Sequence, residues 1–488
     1  MAGSRGEERI LNADKNQFDK EQNDLLKCIL TERYFNPWRE YQGWEQDWER
    51  QFSLIGESTL EIFLTSTCNQ KCEYCYLTKF PGLYPLEFNK KDLILSNLKI
   101  LFNWIIEQDF YIPHIEYFTG EIWHSNYGPE VLEITLDAVK RGLKTDGFLV
   151  PSNCSFVLDE IQLCKIQRYI NEFNKLGVRF AFSISVDGAP IEADTRPLNN
   201  GVVKTQDFYE RLFLFAQHNN FFFHPMVAAY KIDKWIENYQ WWEQMCKEYD
   251  MPVDETVMTL EVRNNDWTPE AIEHYKNLLN YWIDRQYNEF FYGDSWEFTQ
   301  NLFNVGGRGL HGYVPYAPAE ADTFAGCTVS NSLTVRVGDL AICPCHRTAY
   351  DKFLYGWFKV ENEKIVDIVA NNPQMAVRIL MANNNLAHFK CDACVYAPYC
   401  LKGCFGSQYE NTGDPFFPVE GVCTFFKEKW RFIIKKYEEI GVLDNLKNIS
   451  VYSEAYPRAQ QFLKFAKEVK EDALGESRRN VSRRVCCN

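Results

Sequence analysis

The chain has 488 residues, which exceeds one ordinary domain and sets an expectation of about two to four. Its formal net charge is −15, which disfavours nucleic acid as the main partner, because binding phosphates needs a basic surface. No apolar run reaches the ~18 residues of a transmembrane helix, and Met1 to Asp24 lack the apolar centre of a secretory signal. The expected location is the cytoplasm, where thiols stay reduced. Eleven of the 17 cysteines fall in two groups, residues 68–75 and 327–423. Clustered cytosolic cysteines point to metal or iron–sulfur ligation.

Residues 1–57 are charged, with helical apolar spacing at Leu25, Leu26, Ile29 and Leu30, followed by Trp38, Trp44 and Trp48. They read as a helical N-terminal extension that packs on the main body. Residues 58–305 alternate strand-like and helix-like segments. The predicted strands are Leu60–Leu64, Ile115–Phe118, Phe148–Pro151, Phe180–Val186, Phe222–Ala229 and Val257–Val262. Helical periodicity fills Asp92–Glu107, Val131–Arg141, Leu158–Leu176, Gln206–His218, Trp235–Tyr249 and Pro269–Asn288. This pattern predicts an α/β fold with a parallel sheet, in the form of a partial (β/α)6 TIM-like barrel. Ligands of such sheets sit at the carboxyl ends of the strands. Cys68–Cys75, Thr119-Gly120-Glu121, Ser152-Asn153-Cys154 and Asp187-Gly188 all fall at such ends.

A Gly- and Pro-rich linker (293–326) leads into the second cysteine group, and a cysteine-rich domain is expected over 306–430. Residues 431–488 read as helices ending in a disordered basic tail from Glu476, where Cys486 and Cys487 form an exposed, oxidisable pair.

The first cysteine group, Cys68, Cys72 and Cys75, is spaced C-x₃-C-x₂-C. Three thiolates on one short loop can each hold a different iron of one 4Fe–4S cube, leaving the fourth iron open to a small molecule. The competing reading, a zinc knuckle, wants a fourth protein ligand nearby, and no His or Cys follows for more than thirty residues.

This loop resembles the signature of the radical S-adenosylmethionine (SAM) enzymes, with Tyr74 in the aromatic place before the third cysteine. Thr119-Gly120-Glu121 is similar to the family's Gly-Gly-Glu turn for the SAM amino group, with Thr119 in place of the first glycine. Ser185 and Arg196 resemble the SAM contacts of peptide-modifying members, although Arg196 falls one residue short of the usual spacing. The second group, Cys391-x₂-Cys394-x₅-Cys400-x₃-Cys404 and then Cys423, resembles the SPASM domain, with Cys327 and a Gly338-x₄-Cys343 hairpin upstream.

The resemblance implies three 4Fe–4S clusters, one binding SAM and two auxiliary. Cys391, Cys394, Cys400 and Cys423 would hold the outer auxiliary cluster. Cys327, Cys404 and a hairpin cysteine would hold the inner one. Both Cys343 and Cys345 are candidates for the hairpin ligand; residues two apart on a strand share a face, so both can reach one cluster. The resemblance further implies a ribosomally made precursor peptide or protein as substrate, a flavodoxin- or ferredoxin-type electron donor, and crosslink formation. Formylglycine formation in a sulfatase is the alternative, and a non-catalytic electron carrier is another. Sulfatase maturases place Asp after the hairpin cysteine. Here Pro344 and His346 follow the two cysteines, and His346 is a candidate base.

Overall fold

Short runs rich in β-branched and aromatic residues alternate with longer amphipathic ones, and each type settles into its expected element. The computed structural model describes residues 4–35, 59–84, 88–118, 120–124, 127–189, 195–196, 204–251, 259–260, 262–290, 332–381, 391, 394–400, 404–452 and 456–485. In chain order the helix α1 (Ser4–Ile29) precedes β1 (Thr59–Phe63), α2 (Lys91–Glu107), β2 (His114–Glu116), α3 (Gly128–Lys140), β3 (Gly147–Ser152), α4 (Glu160–Lys175), β4 (Arg179–Ile184) and α5 (Gln206–Asn219). There follow β5 (Phe222–Phe223), β6 (Met226–Val227), α6 (Trp235–Glu248), β7 (Thr259–Leu260) and α7 (Pro269–Phe290). The rest comprises β8 (Ser332–Arg336), β9 (Ala341–Cys343), β10 (Gly356–Glu361), β11 (Lys364–Ala370), α8 (Pro373–Met381), α9 (Phe405–Thr412), α10 (Glu420–Glu439), α11 (Val442–Lys447) and α12 (Tyr456–Val485).

Two compact units emerge. The first takes in Met1–Ser185, Pro197–Phe221 and Thr328–Ala382; the second takes in Val186–Arg196, Phe222–Cys327 and Asn383–Asn488. The first unit therefore draws on residues from both the expected barrel segment and the expected cysteine-rich segment.

In the first unit the sheet order is β11-β10-β9-β8-β1-β2-β3-β4. Strands β1 to β4 run parallel, each followed by its helix, as right-handed β/α repeats require. On its other side β1 pairs in parallel with β8, from Thr59 opposite Ser332 to Phe63 opposite Arg336. Then β9, β10 and β11 continue the sheet in antiparallel fashion.

Helix α2 buries Ile94, Leu98, Leu101 and Ile105, one stripe at three- and four-residue spacing. Phe180 and Phe182 share one face of β4 because alternate side chains do. That face meets an aromatic cluster, with ring centroids 4.9 Å apart for Phe173 and Phe180, 5.4 Å for Phe156 and Phe182, and 5.9 Å for Phe182 and Phe215. Helix α1 buries Leu26, with Leu30 buried just past its end; it accepts a hydrogen bond from the Ala370 amide at Asn23 Oδ1 (2.8 Å) and pairs Lys27 with Asp367.

The second unit holds a two-stranded parallel pair, β6 and β7, together with α6, α7 and the C-terminal helices. Its packing centres on Trp267, Tyr275 and Phe425, with centroids 4.4 and 4.9 Å apart, and on Tyr399, Trp430, Phe462 and Phe465.

Six β/α repeats follow one another as the sequence predicts. Two expectations are corrected. The predicted strand Phe222–Ala229 is split into β5 and β6 at His224-Pro225, because proline cannot donate to a ladder. The tail from Glu476, expected to be disordered, continues α12 to Val485; it carries neither proline nor glycine to end the helix. The linker 293–326 and Trp38, Trp44 and Trp48 lie outside the described residues. Among the described residues no helix is long and apolar enough to cross a membrane.

Phe182 has no exposed surface and touches several rings at once. Phe182→Ala is expected to lower the unfolding free energy by about 3–5 kcal/mol. Phe182→Leu should lose considerably less, with denaturant unfolding followed by tryptophan fluorescence as the measurement.

Candidate cofactor and metal centre

The cysteine loop leaves the sheet at Leu64 and is tied down before its first thiol. Thr65 and Thr67 hydroxyls lie 2.9 Å apart, and Asn89 receives the Ser66 amide (3.2 Å) while donating to the Ser66 hydroxyl (2.8 Å). Within the loop the Gln70 amide donates to Cys68 Sγ (3.4 Å) and the Cys75 amide to the Cys72 carbonyl (3.1 Å). Amides aimed at sulfur favour the thiolate, the form that ligates. Cys72 and Tyr74 are buried, and Cys68 and Cys75 are half-buried.

The turn after β2 is built onto this loop. The Gly120 amide donates to the Thr65 carbonyl and the Glu121 amide to the Thr67 carbonyl, both at 2.8 Å. A Cβ on residue 120 would stand 2.0 Å from the Thr67 carbonyl oxygen, so only glycine fits. Thr119 lies outside the described residues.

Glu121 is 2% exposed; it accepts hydrogen bonds from the Ser152 hydroxyl (3.1 and 3.2 Å) and the Asn153 amide (2.9 Å). Burial pushes its carboxyl up to about 7, against the pull of those bonds. Asn153 also donates from Nδ2 to Asn69 Oδ1 (2.7 Å), inside the first cysteine gap, and Asn69 donates to the Ser155 hydroxyl (3.0 Å). The end of β3 thus braces both the carboxylate and the cysteine loop. Ser185, just past β4, donates its amide to the Ser152 carbonyl (2.7 Å). The polar run Ser152-Asn153 was visible in the sequence; the role of Asn69 was not.

The hairpin cysteines lie on the other flank of β1. Gly338 sits in the β8–β9 turn, where a Cβ would meet the Phe88 carbonyl oxygen at 2.2 Å, and Asn97 donates to the Val337 carbonyl (2.8 Å). Arg336, 3% exposed, ties the hairpin to Asp339 (2.6 Å), Asp351 (2.9 Å) and the Ala349 carbonyl (3.0 Å).

Cys343 ends β9 with no exposed surface, and burial pushes its thiol up to about 12. Cys345 lies past the strand end, in extended backbone, and caps the short helical turn His346–Thr348. Only Cys343 is therefore on the strand on which both were expected. Both still lie near Tyr355, whose phenol is raised well above its ordinary range by burial first and then by Tyr34, Cys345 and Cys343.

His346 is brought to a carboxylate in the middle of β1. Glu61, 2% exposed, accepts from the Thr334 hydroxyl of β8 and from the His346 amide (2.7 Å); His346 Nδ1 stands 3.1 Å from its other oxygen. Burial alone would raise this carboxyl, but the imidazole beside it and these hydrogen bonds hold it below the ordinary value. The imidazole stacks on Phe118, centroids 3.6 Å apart and planes 12° from parallel. Its ring also lies 5.9 Å from that of Tyr76, the residue after Cys75, over which Arg347 stands at 5.5 Å. The sequence flagged His346; a lone carboxylate in an apolar strand was the signal that would have found Glu61.

In the second unit Asp187, fully buried, accepts from Arg196 Nε (2.7 Å), the Met226 amide (2.8 Å) and the Thr195 hydroxyl. Arg196 also donates to the His224 carbonyl (3.4 Å). Asn238 and Trp242 hold the Asp187 carbonyl (2.9 and 3.2 Å), and a Cβ at Gly188 would stand 1.8 Å from Asn238 Oδ1. Buried Arg196 is thus oriented by a carboxylate the sequence placed beside it only as a turn.

Cys391, Cys394, Cys400, Cys404 and Cys423 are each half-buried. Successive tight turns, Cys394 amide to Cys391 carbonyl (3.1 Å) and Cys400 amide to Ala397 carbonyl (3.4 Å), shape the first three. Cys423 lies on α10. From the same helix Trp430 Nε1 donates to the Tyr399 carbonyl (2.9 Å), just before Cys400. Cys327, Cys486 and Cys487 lie outside the described residues.

The solved structure of anSMEcpe with bound AdoMet aligns with 78% of this chain and 98% of its own, at 15% identity and a TM-score of 0.50. This chain shares the fold of that AdoMet-bound protein. A second structure of anSMEcpe, with AdoMet and the Kp18Cys peptide, aligns with 78% of this chain and 99% of its own, at 15% identity and a TM-score of 0.49. No protein-family model matches the chain, and no curated protein does.

Among the described residues no three His, Cys, Asp or Glu side chains converge on a point that would hold a single metal ion. A cube asks something different, because each thiolate sits on a separate iron. A soft donor set of three cysteines, with an amide aimed at one sulfur and a glycine turn clamped beneath it, fits that group.

The displaced carboxyl of Glu121 makes stability depend on pH. Between its ordinary value of 4.5 and about 7, the folded protein holds a proton that the unfolded chain has lost. This contribution to stability therefore falls as pH rises through that window and is flat above it. Glu121→Gln should remove the fall, gaining on the order of 3 kcal/mol over the parent at pH 8 relative to pH 4. Urea unfolding of both proteins at the two pH values measures it.

Proposed function

We propose that this chain is a radical SAM enzyme that modifies a ribosomally made peptide or protein by forming an intramolecular crosslink. The observation carrying this reading is that the Cys68–Cys75 loop and the Gly120-Glu121 turn are hydrogen-bonded into one piece. A cluster-ligating set and a buried carboxylate are thereby fixed side by side.

Cys68, Cys72 and Cys75 would ligate the first cluster. Glu121 would take the amino group of SAM, whose positive charge offsets the burial that pushes the carboxyl up to about 7. Ser185 and Arg196 would contact SAM, with Arg196 held in place by Asp187. When bound, a reduced cluster with SAM supplies reductive carbon–sulfur cleavage and a hydrogen-abstracting 5′-deoxyadenosyl radical. The auxiliary sites would be Cys391, Cys394, Cys400 and Cys423 for the outer cluster, and Cys327, Cys404 and the hairpin cysteines for the inner one.

His346 would accept a proton from the substrate, its ring fixed between Glu61 and Phe118. A flavodoxin- or ferredoxin-type protein would supply electrons, and the cytoplasm would provide the reducing setting.

Anaerobic incubation with SAM and dithionite should release 5′-deoxyadenosine, and Cys72→Ala should abolish it. Equal yields from both proteins would sink the enzyme reading. With a candidate peptide, a product two hydrogens lighter whose fragments stay joined supports a crosslink. Conversion of Cys or Ser to an aldehyde supports formylglycine formation instead.

Iron counts decide the hairpin ligand. If both thiols ligate, Cys343→Ala and Cys345→Ala each perturb the inner cluster; an unchanged electron paramagnetic resonance (EPR) spectrum in either variant removes that residue from the set.

A further inference from the structure

Gln70 lies inside the first cysteine gap, between Cys68 and Cys72, and is 6% exposed. Its main-chain amide donates to Cys68 Sγ (3.4 Å), and its side-chain Oε1 accepts from Cys72 Sγ (3.6 Å). One residue therefore reaches two of the three thiols. At the other end of the same carboxamide, Nε2 is buried without a hydrogen-bond partner. A buried donor left unpaired is costly and calls for an explanation.

This arrangement suits a thiol and not a thiolate. A thiol has a proton to give and can face a carbonyl oxygen. Ligation to iron removes that proton, after which the sulfur only accepts. It would then face a second acceptor in Oε1, while the N–H groups of the same carboxamide go unused. The two ends of a carboxamide are nearly alike in size and shape, so a half-turn about the last side-chain bond exchanges them in place. Nε2 then stands where Oε1 stood, 3.6 Å from the Cys72 sulfur. The turn moves the oxygen to the unpaired place, and an unpaired oxygen is the commoner orphan of the two.

We propose that Gln70 donates a hydrogen bond from Nε2 to the Cys72 thiolate when the first cluster is bound, and that this raises the reduction potential of that cluster. The inference rests on the proposed cluster of Cys68, Cys72 and Cys75. A hydrogen bond to a ligand sulfur draws off negative charge, so it stabilises the reduced cube more than the oxidised one. Together with the amide already aimed at Cys68, Gln70 supplies a donor to each of two ligands. A higher potential eases reduction of the cluster by its electron donor.

The test uses the full-length, anaerobically reconstituted protein. Iron in Cys72→Ala is counted first; a variant that keeps all the parent's iron overturns the first cluster itself, separately from the role of Gln70. With that cluster established, its EPR signal is the one that Cys72→Ala lacks. Gln70→Met keeps the length of the side chain and removes its N–H groups. In redox titrations it should move the potential of that one cluster to more negative values, at the parent's iron content. An unchanged potential overturns the inference, whether or not SAM binding weakens. An equal shift of every cluster reports a general change of structure and overturns it too.

Should Gln70→Met lose the first cluster's iron, the parent protein decides. It is made with nitrogen-15 confined to the glutamine side-chain amides, and the first cluster is reduced for pulsed EPR. A nitrogen-15 coupling on that cluster supports the hydrogen bond. Its absence overturns the inference.

Discussion

Glu61 is the constraint around which the first unit is arranged. A carboxylate in the middle of a central strand, nearly without solvent, must find hydrogen-bond donors or forfeit its charge. It finds them in the Thr334 hydroxyl and the His346 amide, 273 and 285 residues away. Satisfying one side chain therefore fixes β8 beside β1 and sets the register of the pair. It also delivers the hairpin with Cys343 and Cys345 to the strand from which the Cys68–Cys75 loop departs. Two sets of thiols that the sequence assigns to separate domains hang from strands of one sheet, β1 and β9, with only β8 between them.

Much of this was legible locally. The C-x₃-C-x₂-C loop, Gly120-Glu121 and Ser152-Asn153 sit at strand ends that alternation and turn residues mark, and each strand was placed within a few residues. Gly120 illustrates why: its requirement is steric, and the carbonyl it must clear belongs to the next loop of the same sheet. What local signals do not encode is pairing across hundreds of residues. Nothing in the composition of β8 names β1 as its partner. Cys345 shows a subtler limit. Two residues apart implies one face only while the strand lasts, and Pro344 falls where the strand has ended.

The second unit follows another logic. Its charges are organised around helix α10, which presents Cys423, Lys429 and Trp430 in turn and pairs Glu428 with Lys276 at 2.9 Å. Asp187 plays a comparable part around Arg196, absorbing the guanidinium so that it need not compete for solvent. In both places an arginine or lysine is removed from water and aimed by an acceptor or by aromatic rings.

The distance in sequence between Glu61 and its donors has a consequence for biogenesis. A chain emerging from the ribosome displays β1 and the Cys68–Cys75 loop long before residue 346 exists. Through that interval β1 has one open edge and a carboxylate with no donor, so the nascent sheet resists closing on itself. The partners that brace the loop, Asn89, Gly120, Glu121 and Asn153, all precede β8 in the chain. The first cysteine group can therefore be tied in place while the β8 edge of its strand is still open.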